Sequence, residues 1–278
     1  MDFDQFIREV APLLDLQWRR FKRGGIKRKV ERRISELGLP HFEDYLSKIE
    51  SDPEERNHLS QILTVTITRF FRDKKVFDIL ENSIIPSIAG RRGWGDFKIW
   101  SIGCANGEEP YSLAILWKEK FERIFPKIRP TIFATDINGT LLERAKGGRY
   151  KKSSLKEVSE EALQRFFKIE SGLYALDRSI RESVEFRRHD IIHEESFSGM
   201  DIVFCRNLAF TYFSKEGEIS VLKKIFSSLK HDGYLIIGWD ELLPLTYPTL
   251  FIPAYQKEKI YQKFNSLHLP PLPGGTVS

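Results

Sequence analysis

From Phe97 onward the chain alternates β-branched or aromatic runs with helical stretches, and this alternation limits its fold more than any other feature. FKIWSIG is a strand-like run ending in glycine, and EEPYSLAILWKEKF behind it has helical composition. TIFATDI and NGTLLERAKGG repeat the pair. VEFRRHDI, MDIVFCRN and YLIIGWDE are further strands, with the helix SKEGEISVLKKIFSSLK between the last two. Such alternation predicts an α/β domain with a parallel sheet covered by helices on both faces. Residues 259–264 fit a closing antiparallel strand. Residues 150–183 fit the alternation poorly and predict a small inserted subdomain.

Before Leu63 no strand is visible. Ile26, Val30, Ile34 and Leu37 are spaced four, four and three, which is one face of a helix that Gly38 stops. Phe42, Tyr45, Leu46 and Ile49 repeat the pattern. Ser51 and Glu54 stand at capping-box spacing around Pro53, so Ser51 is the expected cap of the next helix. The organisation expected is a helical domain over residues 1–70, a linker over 71–96 and an α/β domain over 97–278. One helix falls around residues 76–85 of the linker, and Pro86 with AGRRGWGD reads as a loop.

The 278 residues allow one large domain, or a mid-sized one with a small partner. No apolar run approaches the roughly 18 residues of a membrane span, and the acidic, amphipathic N-terminus is no signal peptide. Two cysteines, Cys104 and Cys205, sit in apolar segments. They make no disulfide framework, and they fit a reducing cytoplasm. The net charge of +5 suits an acidic partner, and its densest basic run is RRFKRGGIKRKVERR at residues 19–33.

The chemistry concentrates at strand ends. In SIGCANGEE a strand runs into a turn bearing Gly103 and then into a helix, which lets a ligand approach the backbone at the carboxyl end of the sheet. The turn matches neither the dinucleotide fingerprint nor the phosphate loop. Asp136 ends the second strand. It can bind both hydroxyls of a ribose, or it can cap the helix NGTLLERA. Asp190 at the next strand end can accept from an adenine amino group, and Asn207 at the one after can meet an amino-acid group. His189 and His193 are four apart but follow a strand and have no third ligand, so no metal is expected.

LTVTITRFFRD, WSIGCANGEEPYSLAI, FATDI, FCRNLAFTYF and GYLIIGWDE together resemble the ordered motifs of the CheR-type chemotaxis receptor methyltransferases. The resemblance spans nearly the whole chain. It implies a class I, Rossmann-like methyltransferase domain behind a helical one. It also implies S-adenosylmethionine as donor, S-adenosylhomocysteine as product and a glutamate γ-carboxylate as acceptor. By position it assigns Thr66, Thr68, Arg72, Gly103, Glu109, Asp136, Asp190, Ile191, Arg206 and Asn207 to the cofactor, and Arg72 and Tyr212 to the transfer site. Several positions depart from the family pattern. Thr66 replaces a common asparagine, as Asp190 does, and LAFTYF and GWDE replace more usual segments. Trp239 and Asp240 in the latter can reshape the acceptor side.

The resemblance also implies that Lys29, Arg32 and Arg33 grip an acidic helix of a chemoreceptor, although Ser35 stands where a further basic residue is common. The alternative for this face is a solvated surface with Glu31 as a local partner. Three other readings stay open: a different protein or small carboxylate as acceptor, a cofactor-binding regulator without catalysis, and methylation of nucleic acid. The last lacks the Asn/Asp-Pro-Pro-aromatic motif, so no nucleic-acid partner is expected.

Overall fold

A computed structural model describes residues 1–17, 24–63, 68–93, 95–244 and 250–264. Among these residues four helices come first: α1 (Phe3–Leu13), α2 (Gly24–Glu36), α3 (Phe42–Ser51) and α4 (Pro53–Leu63). Their buried residues follow the sequence periodicity. Ile26, Val30 and Ile34 of α2 pack with Phe6, Val10, Tyr45, Ile49 and Leu59 in one core. Gly38 takes a left-handed φ of +67° just past α2, where a side chain would be strained. The cap of α4 is Asp52 and not Ser51. Asp52 Oδ1 accepts from the N–H of Glu54 and Glu55 at 3.0 and 3.2 Å, while Ser51 is the last residue of α3. Two adjacent residues could each cap, and the end of α3 uses up Ser51.

The next segment is helical further than the sequence suggests. α5 (Lys74–Ile79) passes through a wide π turn (Leu80–Ile84) into α6 (Ile85–Arg92). Pro86 lies in the first turn of α6 and does not begin a loop. A proline breaks the ordinary helical ladder, and here it sits where the ladder has already changed register, Ile85 N–H donating to Leu80. Ile84, Ile85, Ile88 and Ala89 are all buried against the sheet, so burial outweighs the weak helix propensity of Gly90 and Pro86.

The main sheet contains β1 (Gly95–Ile102), β2 (Ile128–Asp136), β6 (Val184–Arg188), β7 (Met200–Cys205), β8 (Leu229–Ile237), β9 (Phe251–Tyr255) and β10 (Ile260–Lys263). Its order is β6-β2-β1-β7-β8-β10-β9. The first five are parallel neighbours, and β10 runs antiparallel to both β8 and β9. The expected closing strand is therefore present, and β9, which the sequence reading passed over, pairs on its outer side. Helices α7 (Glu108–Leu116), α8 (Gly139–Gly147) and α12 (Lys215–Ser228) connect the parallel strands, and the short α11 (Ala209–Tyr212) precedes α12. β7 is buried at every position, as a central parallel strand requires. The strand order reverses between β1 and β7, which opens a crevice at their carboxyl ends.

Between α8 and β6 the chain leaves this sheet. β3 (Arg149–Tyr150), β4 (Phe167–Glu170) and β5 (Leu173–Leu176) form a second, antiparallel sheet in the order β3-β5-β4, with α9 (Glu160–Phe166) and α10 (Arg178–Arg181) around it. It is anchored to the main body at Phe70, whose N–H donates to Ser154 O at 2.9 Å, and at Tyr150, whose hydroxyl donates to Asn106 O at 2.8 Å.

Glu108, at the start of α7, is buried at this junction. Burial pushes its carboxyl up to about 7, with a hydrogen bond from Ser154 opposing. A carboxyl raised in this way holds its proton more tightly in the folded than in the unfolded chain. Its contribution to stability is therefore fullest below the unfolded value near 4.5 and is lost as pH rises toward 7. Glu108→Gln should remove that loss. The melting temperature of the variant should match wild type below about pH 4.5, exceed it increasingly as pH rises from there toward 7, and keep a constant margin above pH 7, equivalent to up to about 3 kcal/mol. Parallel melting curves across that range would show that Glu108 is not the group responsible.

Candidate active site

The turn after β1 is fastened to the end of β2. The N–H groups of Gly103 and Cys104 both donate to Thr135 O, at 2.8 and 2.9 Å, and Ala105 N–H donates to Asp136 Oδ2 at 2.9 Å. Gly103 has φ +70°, and a Cβ there would come within 2.7 Å of the Leu208 side chain. The helix that follows is capped by Asn138, whose side chain accepts from Thr140 and Leu141. Asp136 is thus not that cap. Its Oδ1 accepts from Asn138 N–H at 2.9 Å, which braces the turn. Each carboxylate oxygen accepts one backbone bond and keeps a lone pair for a ligand. Burial holds the Asp136 carboxyl above its ordinary range, and these two bonds oppose that effect.

Asp190 follows β6 in a turn of its own. Its Oδ1 accepts from Ile192 and His193 N–H, and its Oδ2 meets His193 Nδ1 at 2.8 Å. Burial works against its charge, yet the bonds from His193 and Ile192 outweigh it and hold the carboxyl below the usual range. Lys224 on α12 holds the same turn by donating to the carbonyls of Ile191, Ile192 and Glu194 at 2.7–3.1 Å.

Gly103, Asp136, Asp190, Ile191, Asn207 and Tyr212 line one open cleft with about 1100 Å³ of empty space. Its opposite wall comes from the helical domain: Leu13 at the end of α1, Leu14, Asp15 and Leu16 just past it, and Arg56, Asn57, Ser60 and Gln61 on α4. The sequence reading did not single out this wall, because polar residues on an N-terminal helix carry no mark of the strand ends they will face. The two domains join by backbone and through the Gln17 side chain, whose amide donates to Phe213 O and Glu218 Oε1 at 2.5 and 2.8 Å. Gln17 N–H donates to Tyr212 O, Ser214 N–H donates to Asp15 O, and Leu16 bridges to Phe213.

Thr68, Arg72, Glu109 and Arg206 do not belong to that lining. The Arg206 guanidinium, only 4% exposed, bonds Glu109 Oε2 at 3.1 Å, Asp73 Oδ2, and the carbonyl of Arg72 at 3.3 Å. Ser101 Oγ donates to the other oxygen of Glu109 at 2.8 Å. Phe71 and Asp73, flanking Arg72, both have left-handed backbone at φ +52° and +63°, a conformation that costs on the order of 1–3 kcal/mol at non-glycine residues. The bent segment aims Arg72 so that its guanidinium donates to Asn207 Oδ1 at 3.2 Å. Glu109 and Arg206 therefore meet each other and fix the strained turn that carries Arg72. Thr66 lies outside the described residues.

The basic face of α2 divides. Lys29 and Arg32 are exposed, and Arg32 pairs with Glu36 on its own helix at 2.9 Å. Arg33 is turned inward. It donates to both oxygens of buried Glu55, at 2.9 and 2.5 Å, and Tyr45 Oη donates to Oε1 at 2.7 Å. Among the described residues no cluster of three metal-ligating side chains occurs, and no helix is long and apolar enough to cross a membrane. Cys104 and Cys205 are buried, and burial pushes both thiols up, which suits packing and not nucleophilic attack.

Comparison with known proteins agrees with this architecture. Residues 1–64 match the all-alpha domain of CheR methyltransferases, and residues 66–260 match their S-adenosylmethionine-binding domain. A chemotaxis protein methyltransferase of Listeria innocua is 30% identical over 86% of this chain and 89% of its own length. One from Salmonella typhimurium is 33% identical over 79% and 76%. An uncharacterised 104.1 kDa protein of Rhodobacter capsulatus is 32% identical over 80% of this chain, which spans only 23% of that protein. With both domain types matched in order, the chain belongs to the CheR methyltransferase family.

Proposed function

We propose that the chain transfers the methyl group of S-adenosylmethionine to a glutamate side chain of an acidic protein helix, such as that of a chemoreceptor, forming a γ-methyl ester. The observation that carries this reading is the convergence of Gly103, Asp136, Asp190 and Asn207 on one cleft at the strand-order reversal. The donor supplies a methyl group on a positively charged sulfur. The residues present suit its parts. Asp136 keeps a lone pair on each oxygen for the two ribose hydroxyls, Asp190 and Ile191 stand one strand further out for the adenine, and Asn207 stands opposite for the amino-acid end. Gly103 lets the ligand approach the backbone between them.

A glutamate acceptor is ionised at neutral pH, its free pKa being about 4.3. It needs no general base, so this chain's task is to hold the carboxylate in line and keep water away. Orientation of that kind can lower a barrier by roughly 7–11 kcal/mol. Arg72 is the group suited to orienting the acidic acceptor. Its bond to the Asn207 amide sets the guanidinium beside the residue assigned to the amino-acid end of the donor. Tyr212, on the cleft wall, is suited to hydrogen-bond the acceptor. Lys29 and Arg32 offer the acceptor helix positive charge, while Arg33 serves the internal fold.

The acceptor chemistry is tested by incubating the protein with methyl-labelled donor and an extract of the source cells. Label carried on protein and released by mild base identifies a methyl ester; base-stable label would refute the glutamate assignment. Asp136→Ala should weaken S-adenosylhomocysteine binding at least about tenfold, since a charge-assisted hydrogen bond is worth roughly 1.5–3 kcal/mol. Arg72→Ala should instead lower turnover far more than donor affinity. Calorimetry and steady-state rates separate the two, and a reversed pattern would exchange the roles assigned here. On the acceptor side, Lys29→Glu with Arg32→Glu should raise the KM for a protein acceptor in a salt-dependent way without moving the melting temperature. Arg33→Glu should chiefly unfold, because stranding a buried partner such as Glu55 costs about 3–5 kcal/mol. Equal melting temperatures for the Arg33 variant and wild type would return Arg33 to the acceptor face.

A further inference from the structure

The segment after β8 reads Gly238-Trp239-Asp240-Glu241-Leu242, and the structure turns it in an unexpected sense. Trp239 and Leu242 are 64% and 69% exposed, while Glu241 is 2% exposed. Burying the carboxylate and exposing both large apolar side chains runs against solvation, so something must hold Glu241 inside. Its Oε2 accepts from Asn207 N–H at 2.9 Å and from Gly238 N–H at 2.5 Å, and its Oε1 accepts from Thr211 Oγ1 at 2.5 Å. One buried carboxylate thus joins the end of β7, the end of β8 and the short helix that carries Tyr212.

Asn207 is the residue most in need of such a hold. It has φ +55°, a left-handed conformation that a non-glycine residue keeps only when its surroundings fix it. Its side chain faces the cleft and accepts from Arg72, while its own N–H points away into Glu241. Gly238 completes the fit. A Cβ there would lie 2.8 Å from Glu241 Oε2 and 2.9 Å from Asn207 Nδ2, so this glycine lets the carboxylate and the amide lie side by side.

We propose that Glu241 is a positioning residue that holds Asn207 in its strained backbone conformation and thereby sets the Asn207 amide for the amino-acid end of the donor. The inference rests on the donor-site reading given above. It predicts that Glu241 acts on donor affinity through one oxygen, the one bound to Asn207, and much less through the oxygen bound to Thr211.

The test is calorimetric titration of S-adenosylhomocysteine into the full chain and its variants, with a melting curve for each. Glu241→Ala should bind at least about tenfold more weakly, the effect of losing a charged acceptor from a buried backbone N–H. Glu241→Gln can aim its carbonyl at both N–H groups and its amide at the Thr211 hydroxyl, and should recover binding to within about threefold of wild type. Thr211→Val and Trp239→Ala should bind as wild type. Should Glu241→Ala not fold, Glu241→Met fills the same volume without an acceptor and takes its place. Wild-type affinity in the folded Ala or Met variant, with Asp136→Ala impaired, would overturn the role of Glu241 and leave the cleft standing. Wild-type affinity in Asp136→Ala as well would overturn the donor-site reading and this inference with it. Equal losses in Glu241→Ala, Thr211→Val and Trp239→Ala would mean that the loop is merely structural, and would also overturn it.

Discussion

Arg206 carries a full positive charge into the interior, where Glu109, Asp73 and the carbonyl of Arg72 receive it. Desolvating such an ion costs several kcal/mol, which only well-made partners can offset. Those partners are 97, 133 and 134 residues away in the chain. They meet because the parallel order places the end of β7 beside the start of α7, and because the segment after the helical domain is laid across both. The left-handed residues Phe71 and Asp73 bend that segment around the guanidinium. Arg72, between them, is left pointing at Asn207. The aim of this side chain is thus set in part by the charge network around Arg206, which binds its own carbonyl.

The same economy runs along the whole carboxyl edge of the sheet. The ends of β2, β6 and β8 each carry a carboxylate that accepts from nearby backbone N–H groups: Asp136 from Ala105 and Asn138, Asp190 from Ile192 and His193, Glu241 from Asn207 and Gly238. These bonds remove rotamer freedom before any ligand arrives, so less ordering remains to be done on binding. Much of the backbone strain lies here too, at Ala105 and Asn207 on the cleft and at Phe71 and Asp73 beside Arg72. A fully buried apolar strand such as β7 supplies the rigidity that strained turns need.

Legibility in the sequence followed the range of the forces involved. The parallel strands, their connecting helices and the helical domain announced themselves through periodicity, because burial of one face is a local pattern. Asp136, Asp190 and Asn207 could be placed at strand ends from the same alternation, since each follows a strand-like run, and all three line the cleft. Competition between neighbours was not readable. Ser51 and Asp52 are both good caps, and only the end of α3 decides between them. Pro86 reads as a break, but four buried residues around it keep the helix going. Arg33 looks like its exposed neighbours until Glu55, 22 residues away, turns it inward. Glu241 stands among apolar and charged residues in a segment whose pattern does not say which one is buried. Nothing in the spacing gave away Arg206 as the partner of Glu109, since the charges that pair with it come from distant segments.

The way the two domains are joined bears on how such a site can vary. Asp15, Leu16 and Gln17 meet Ser214, Phe213 and Tyr212 partly through main-chain groups, which any residue can supply. The main-chain part of this junction is therefore insensitive to substitution, while buried Leu16 and the Gln17 amide tie it to particular side chains. The segment after β8 follows the same logic at smaller scale. Glu241 is committed inward by three hydrogen bonds, and Trp239, Asp240 and Leu242 around it are exposed. On the function proposed above, a donor site held by backbone bonds, beside a rim of exposed side chains, separates two requirements physically. The methyl donor stays the same from one acceptor to the next, so its contacts belong on the rigid strand ends, and acceptor recognition belongs on surfaces whose alteration leaves those ends where they are.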